Sequence, residues 1–356
     1  MAVRASLYAA ELRRELRERN RLWARGRAYV ESYGAPPVIV YAPEHSTVEG
    51  PLMGLPLRDG RHGNFFDNAY AAITTRPDWM RRFDKIHAQG KALPKAESGR
   101  RWRELDSSMS SDALLMNVFC VAEVIESRLV RQTLGVDGEV APVFGWKARV
   151  PLGSGPGGRV RLDRTEVDMR WGGLLVEAKL TEGDFQTRAA RIVEGYRDFD
   201  AVFERELLPR VEIREARRRA AVEFAEEFTQ EWEDALADEE AAREFQAGIV
   251  ARARELESAE AGYESYQLIR NVLAAYAEGC SFCVIHDERR PDLRESWFEV
   301  MAAVKSAEMR VRCKVLTWQE LAALLPTPLQ DFLDLKYGIV RAGRVASHVR
   351  EFAEYE

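Results

Sequence analysis

The sequence predicts an α/β fold in which a mixed sheet is flanked by helices, laid down in the order helix, strand, strand, strand, helix, strand. Three observations carry that expectation. Arg164 to Leu180 reads as two short strands joined by Gly172-Gly173, a two-residue loop that tolerates the positive φ of a hairpin turn. Ser110-Ser111 opens an amphipathic helix with capping residues. Ser281–His286 is a short apolar run, read as a buried strand, with a helical pattern just before it.

In chain order, residues 5–32 read as a basic amphipathic helix, with Leu7, Leu12, Leu16, Trp23 and Tyr29 among many arginines. A Pro- and Gly-rich loop follows to about Gly63. Residues 64–103 alternate aromatics (Phe65, Phe66, Tyr70, Trp79, Trp102) with cations (Arg81, Arg82, Lys85, Arg100, Arg101, Arg103), a pattern suited to phosphate contacts and base stacking. The helix from Ser110 is expected to run to about Leu134, with Leu114, Val118, Ile125 and Leu129 on one face. A strand over Val140–Val150, a glycine-rich loop and the hairpin come next, then a helix from Phe185 to Glu204. Residues 209–260 are too rich in Ala, Glu and Arg to form a core and read as a charged helical pair projecting from the fold. Tyr263–Ala277 then reads as a helix, Leu293–Lys305 as another and Val311–Leu316 as a strand, and Thr317-Trp-Gln-Glu320 is a capping box. Four parts are expected: a basic, mostly helical region at 1–104, a core in two pieces at 105–208 and 261–356, and the insertion at 209–260.

In the hairpin, Asp168 is expected opposite Glu177 and Glu166 opposite Lys179, all on one face by the strand period of two. Val167, Met169, Leu174, Val176, Ala178 and Leu180 supply the apolar face. Directly opposed Cα atoms lie about 4.5–5.5 Å apart, and opposed like charges are unfavourable. A divalent cation is the natural compensation. The plain alternative is a two-stranded ribbon with a solvated charged face, Glu166 pairing with Lys179 across the ladder.

The arrangement Asp168…Glu177-Ala178-Lys179 resembles the active-site hairpin of the PD-(D/E)XK nuclease superfamily, although Val167 stands where that motif has proline. The element order over roughly residues 100–320, the Leu105-Asp-Ser-Ser-Met…Asn117-Val-Phe119 segment and Tyr266-Gln267-Leu-Ile-Arg270-Asn271 look like those of a group of bacterial restriction endonucleases within it. The resemblance implies a restriction-endonuclease-like core and a Mg²⁺ centre (Mn²⁺ as a substitute) ligated by Asp168, Glu177 and the Ala178 carbonyl. It also implies a polar side chain, Gln267, reaching the site, and an acid from the first core helix, for which Glu126 fits better than Glu123. Lys179 would orient the attacking water or stabilise developing charge; Glu166 is either an ion-pair partner or a further ligand. The implied activity is hydrolysis of DNA phosphodiesters in restriction or defence. The same fold acting on RNA or branched DNA, or binding without cutting, stays open.

Composition sets limits. The 356 residues are 46% hydrophobic, enough for a sizeable core, and a net charge of −6 means that any nucleic-acid surface must be local. Four cysteines, no apolar targeting block and no membrane-length apolar run lead to the expectation of a soluble cytoplasmic protein. Cys280-Ser-Phe-Cys283 with His286 has ligand-like spacing but lacks a second CxxC, so buried thiols are favoured over zinc. Gly153–Gly158 lacks the Gly-Lys-Ser/Thr of a phosphate-binding loop. The charged insertion points to a protein partner or self-association.

Overall fold

The hairpin at 166–178 forms the middle of a five-stranded sheet. The computed structural model describes residues 2–24, 29–33, 39–43, 62–86, 103–138, 140–153, 161–213 and 261–340. The sheet comprises β1 (Val143–Lys147), β2 (Glu166–Trp171), β3 (Leu174–Ala178), β4 (Ser281–His286) and β5 (Cys313–Thr317), in spatial order β5-β4-β3-β2-β1. β1, β2 and β3 form an antiparallel meander, while β4 and β5 add in parallel. Five helices frame the site: α1 (Ala2–Ala24), α2 (Ser111–Phe119), α3 (Tyr266–Glu278), α4 (Pro291–Ala302) and α5 (Thr327–Tyr337). The expected order from α2 through β4 is the order observed, a mixed α/β architecture compatible with a restriction-endonuclease-like fold.

β3 is buried at every position, because helices cover both sides of the sheet. One core packs Met169, Leu174, Val176 and Ile285 against α2 and α5; the other packs Leu175, Phe282 and Val284 against α3 and α4. The solvated charged face of an isolated ribbon is therefore excluded. Val167 also departs from expectation: it joins the second core, while Met169 stays in the first. The paired ladder of β2 and β3 ends at Met169↔Val176, and beyond it the strands part.

Several expected elements are shorter. α1 ends at Ala24, and Tyr29–Tyr33 pairs with Ile39–Pro43 inside the region read as helix and loop. The helix expected over residues 110–134 is three pieces, Ser111–Phe119, Ala122–Glu126 and Arg128–Leu134. Val121 and Ser127 are extended, and the Ser127 side chain caps the third piece by accepting from Val130 N. The resulting reorientation leaves Leu129 62% exposed instead of on the apolar stripe. Only single turns, Ala190–Val193 and Phe199–Val202, form within the helix expected at 185–204. The Tyr196 hydroxyl between them is drawn to Asp163 and Tyr266. Val140–Val150 splits into β1 and Val150–Pro151, which pairs with Leu162–Asp163.

Described residues among the first 104 contribute to the main core. Leu12, Leu16, Phe65, Tyr70, Ile73, Trp79 and Phe83 are buried in the same core as Leu114 and Val176. Thus Phe65, Tyr70 and Trp79, read as stacking platforms for bases, are core residues; Trp79 donates its indole N–H to Pro142 O at 2.9 Å. Trp102, Arg100 and Arg101 lie outside the described residues, as does the insertion from 214 to 260. Its flanks are held side by side, since Arg210–Glu212 pairs antiparallel with Ala261–Tyr263. Among the described residues no helix is long and apolar enough to cross a membrane.

Candidate active site

Gly172 makes the β2–β3 turn, with φ at +57°, a value that an L side chain adopts only with strain. The turn sets Met169 opposite Val176, as the sequence register requires. One step further, the backbone ladder gives way to a side chain: Asp168 Oδ2 accepts from Ala178 N at 2.8 Å. This substitution opens the hairpin at the end where Asp168, Glu177 and Lys179 lie. Asp168 Oδ1 has no hydrogen bond among the described residues.

Glu177 and Lys179 are 2% and 5% exposed. Their side chains form an ion pair, with Nζ 3.0 Å from Oε1. Glu177 Oε2 accepts from Asn271 Nδ2 on α3 at 2.8 Å. Lys179 is fixed through its backbone as well: its N–H donates to Ile285 O at 2.9 Å, and its carbonyl accepts from Trp318 Nε1 at 3.0 Å. The loop that follows is held by the buried Arg290, which donates to Glu182 O at 2.7 Å and Gly183 O at 2.9 Å. Arg13 of α1 donates to Thr181 O at 2.9 Å.

A second cluster borders the first. Arg82 donates from Nη2 to Asp112 Oδ2 at 2.6 Å and from Nη1 to Glu166 Oε1 at 2.7 Å. Lys85 Nζ lies 2.7 Å from Asp112 Oδ2 and 3.6 Å from Glu166 Oε1. Glu166 therefore does not pair with Lys179. It stands opposite Lys147 of β1, and the nearby guanidinium and ammonium take its carboxylate.

Electrostatics separate these acids. Burial, then the charges of Glu177 and Asp112, push Asp168 well above the ordinary carboxylate range; Lys179 and Lys85 pull back only in part. Burial works against the ionised form of Asp112 too, but Lys85 and Arg82 outweigh it and hold its carboxyl below the usual range. Burial lowers the Lys179 ammonium, yet Glu177, Glu182 and Asp168 more than offset that, so it stays protonated. The Asp168–Glu177 pair is thus short of positive charge, while Asp112–Glu166 is already supplied with it. A hard divalent ion suits the first pair: both ends offer carboxylate oxygens, and each such oxygen keeps a lone pair beyond the hydrogen bond it accepts. Among the described residues no three His, Cys, Asp or Glu side chains are grouped to hold a metal, so such an ion would take its other ligands from backbone, amide and water oxygens.

A family model described as "Restriction Endonuclease associating with ARP" matches residues 28–338. The chain belongs to that family. No curated protein and no solved structure matches it.

The remaining sequence candidates of this REase-ARP member fall in different places. Gln267 is in the first turn of α3, one turn before Asn271 on the same face, and its buried Oε1 has no hydrogen-bond partner among the described residues. Ala178 is buried in β3 and touches Asp168 through its N–H. Glu126 is exposed at the end of its short helix, away from the cluster that α2 reaches through Asp112. Arg82 and Lys85, read as part of a phosphate-binding surface, are instead in the acidic cluster; Arg81 is exposed, and Arg103 donates to Asp84 O at 2.8 Å.

Asp112 and Asn271 were missed. Asp112 is an acid in the first turn of a helix, a placement that the helix dipole explains without any site. Asn271 was within reach of the sequence, since it follows Gln267 at the i,i+4 spacing. Cys280 and Cys283, whose zinc reading was disfavoured, are buried in opposite cores of the sheet.

Proposed function

We propose that this chain is a Mg²⁺-dependent endonuclease that hydrolyses DNA phosphodiester bonds through a PD-(D/E)XK-type centre, in restriction or defence against foreign DNA. The observation that carries the reading is Asp168: a carboxylate crowded by Glu177, one oxygen free, at the open end of a hairpin. Asp168 and Glu177 would hold the ion, with the Ala178 carbonyl and Gln267 Oε1 as neighbouring oxygens. When bound, Mg²⁺ would supply Lewis-acid polarisation of the phosphate and a lowered pKa for a coordinated water. Lys179 presents a fixed ammonium beside Glu177, placed to orient the water and to meet the charge that grows on the phosphoryl oxygens. Asn271 keeps the Glu177 carboxylate in that orientation. Arg81 and Arg103 would contact the DNA backbone, and the chain would associate with ARP, as the family's description has it.

The test is incubation of the purified protein with plasmid DNA and Mg²⁺ beside Lys179→Ala. The native protein is expected to nick or linearise the plasmid, and the variant to lose about 10²-fold or more, the scale of removing one fixed charge-stabilising group. Equal cutting by both proteins points to another site. Silence of both, with DNA binding retained, supports a binding module.

A further inference from the structure

The four acids at the open end of the hairpin fall into two pairs with different company. Of Asp168 and Glu177, only Glu177 has an ion pair among the described residues, with Lys179; Asp168 feels the Lys179 and Lys85 ammoniums without pairing to either. Asp112 and Glu166 are bridged by one guanidinium, with Arg82 nitrogens 2.6 and 2.7 Å away, and share Lys85 at 2.7 and 3.6 Å. The bridge is built in. Arg82 and Asp112 are both buried, and β1 gives up a side chain to admit the fork. At Gly145, φ is +67°, and a Cβ there would stand 2.1 Å from Arg82 Nη1 and 3.0 Å from the Glu166 carboxyl carbon. A planar fork spanning two carboxylates fills the space and meets the charge demand that a bridging divalent ion would otherwise meet. Arg82 and Lys85 come from residues 81–85, a turn that precedes the helix and strands of the catalytic order.

On the reading given under Proposed function, we infer that Arg82 and Lys85 are resident counter-cations occupying the Asp112–Glu166 pair, so that the centre takes a single divalent ion, at Asp168 and Glu177. Asp112 then serves as a positioning residue: it anchors the guanidinium that also holds Glu166, two residues before Asp168 on β2.

The test counts ions on the full chain, with Mn²⁺ as the probe, by titration calorimetry and by electron paramagnetic resonance. The native protein is expected to bind one Mn²⁺ per chain, and Asp168→Asn none. The double variant Arg82→Gln/Lys85→Gln is expected to bind two, with a spin-coupled signal from neighbouring ions. Two ions on the native protein, or one on a folded double variant, overturns the inference while leaving the metal reading intact. No ion on the native protein, or one retained by Asp168→Asn, overturns the metal reading and the inference together. Should the double variant fail to fold, Arg82→Gln alone, which removes the bridging fork and keeps Lys85, is expected to reveal a second site at least tenfold weaker than the first. Its absence also overturns the inference.

Discussion

Asp168 is asked to carry a charge where two other carboxylates already stand, and its elevated pKa sets a testable sign. The folded value lies above the unfolded one of about 3.9. The stability that protonation lends is complete below the unfolded value and disappears as pH rises through the folded value. Without metal, Asp168→Asn is therefore expected to stabilise the protein by ~1 kcal/mol near neutral pH, the scale of relieving one like-charge contact. The gain should shrink towards nothing at acid pH. The amide keeps an oxygen for the Ala178 N–H, so the hairpin bond survives. Thermal melts in a chelator across pH measure this; a variant less stable than the parent at neutral pH would show that the carboxylate is better satisfied than its neighbours imply.

At the scale of elements, α2 carries Asp112 to the site, and its start is set by Ser110, whose hydroxyl accepts from Ala113 N at 3.1 Å. Ser110→Ala is expected to cost ~1 kcal/mol in denaturant unfolding, the usual worth of such a cap. No measurable change would mean that water replaces the hydroxyl at this turn. Elements with a local signal were legible in the sequence. The diglycine turn fixed the register of β2 and β3, the run Ser281–His286 has the bounds of β4, and Thr317 and Glu320 form the capping box seen from spacing alone. What stayed hidden depended on distant partners. Nothing near Val121 or Ser127 announces two breaks in a helical pattern, and nothing near Arg82 tells a surface arginine from one seated against Glu166, 84 residues away. Placement followed the same rule: Asp168, Glu177 and Lys179 share one hairpin, so their nearness is legible in it, while Asp112 reaches them only through the tertiary fold.

Across the whole molecule, α1 ties the first described residues to α5 and to the candidate site. It packs on α5, pairs Glu15 with Arg289 at 2.9 Å and bonds the loop after Lys179 through Arg13. Leu16, fully buried, shares the core that underlies β3. Leu16→Ala is expected to cost ~2–5 kcal/mol, the range for a core leucine, in one cooperative transition followed by circular dichroism and tryptophan fluorescence together. A separate early step would make α1 an independent lobe. The paired flanks of residues 214–260 carry a different implication. Because Arg210–Glu212 and Ala261–Tyr263 already lie as neighbouring strands, the scaffold closes before and after that segment without its help. Loop-closure entropy grows only as the logarithm of length. Lineages could lengthen, shorten or exchange what is spliced between these strands at small thermodynamic expense, which makes this position a natural port for evolving new attachments while the β2–β3 hairpin stays unchanged.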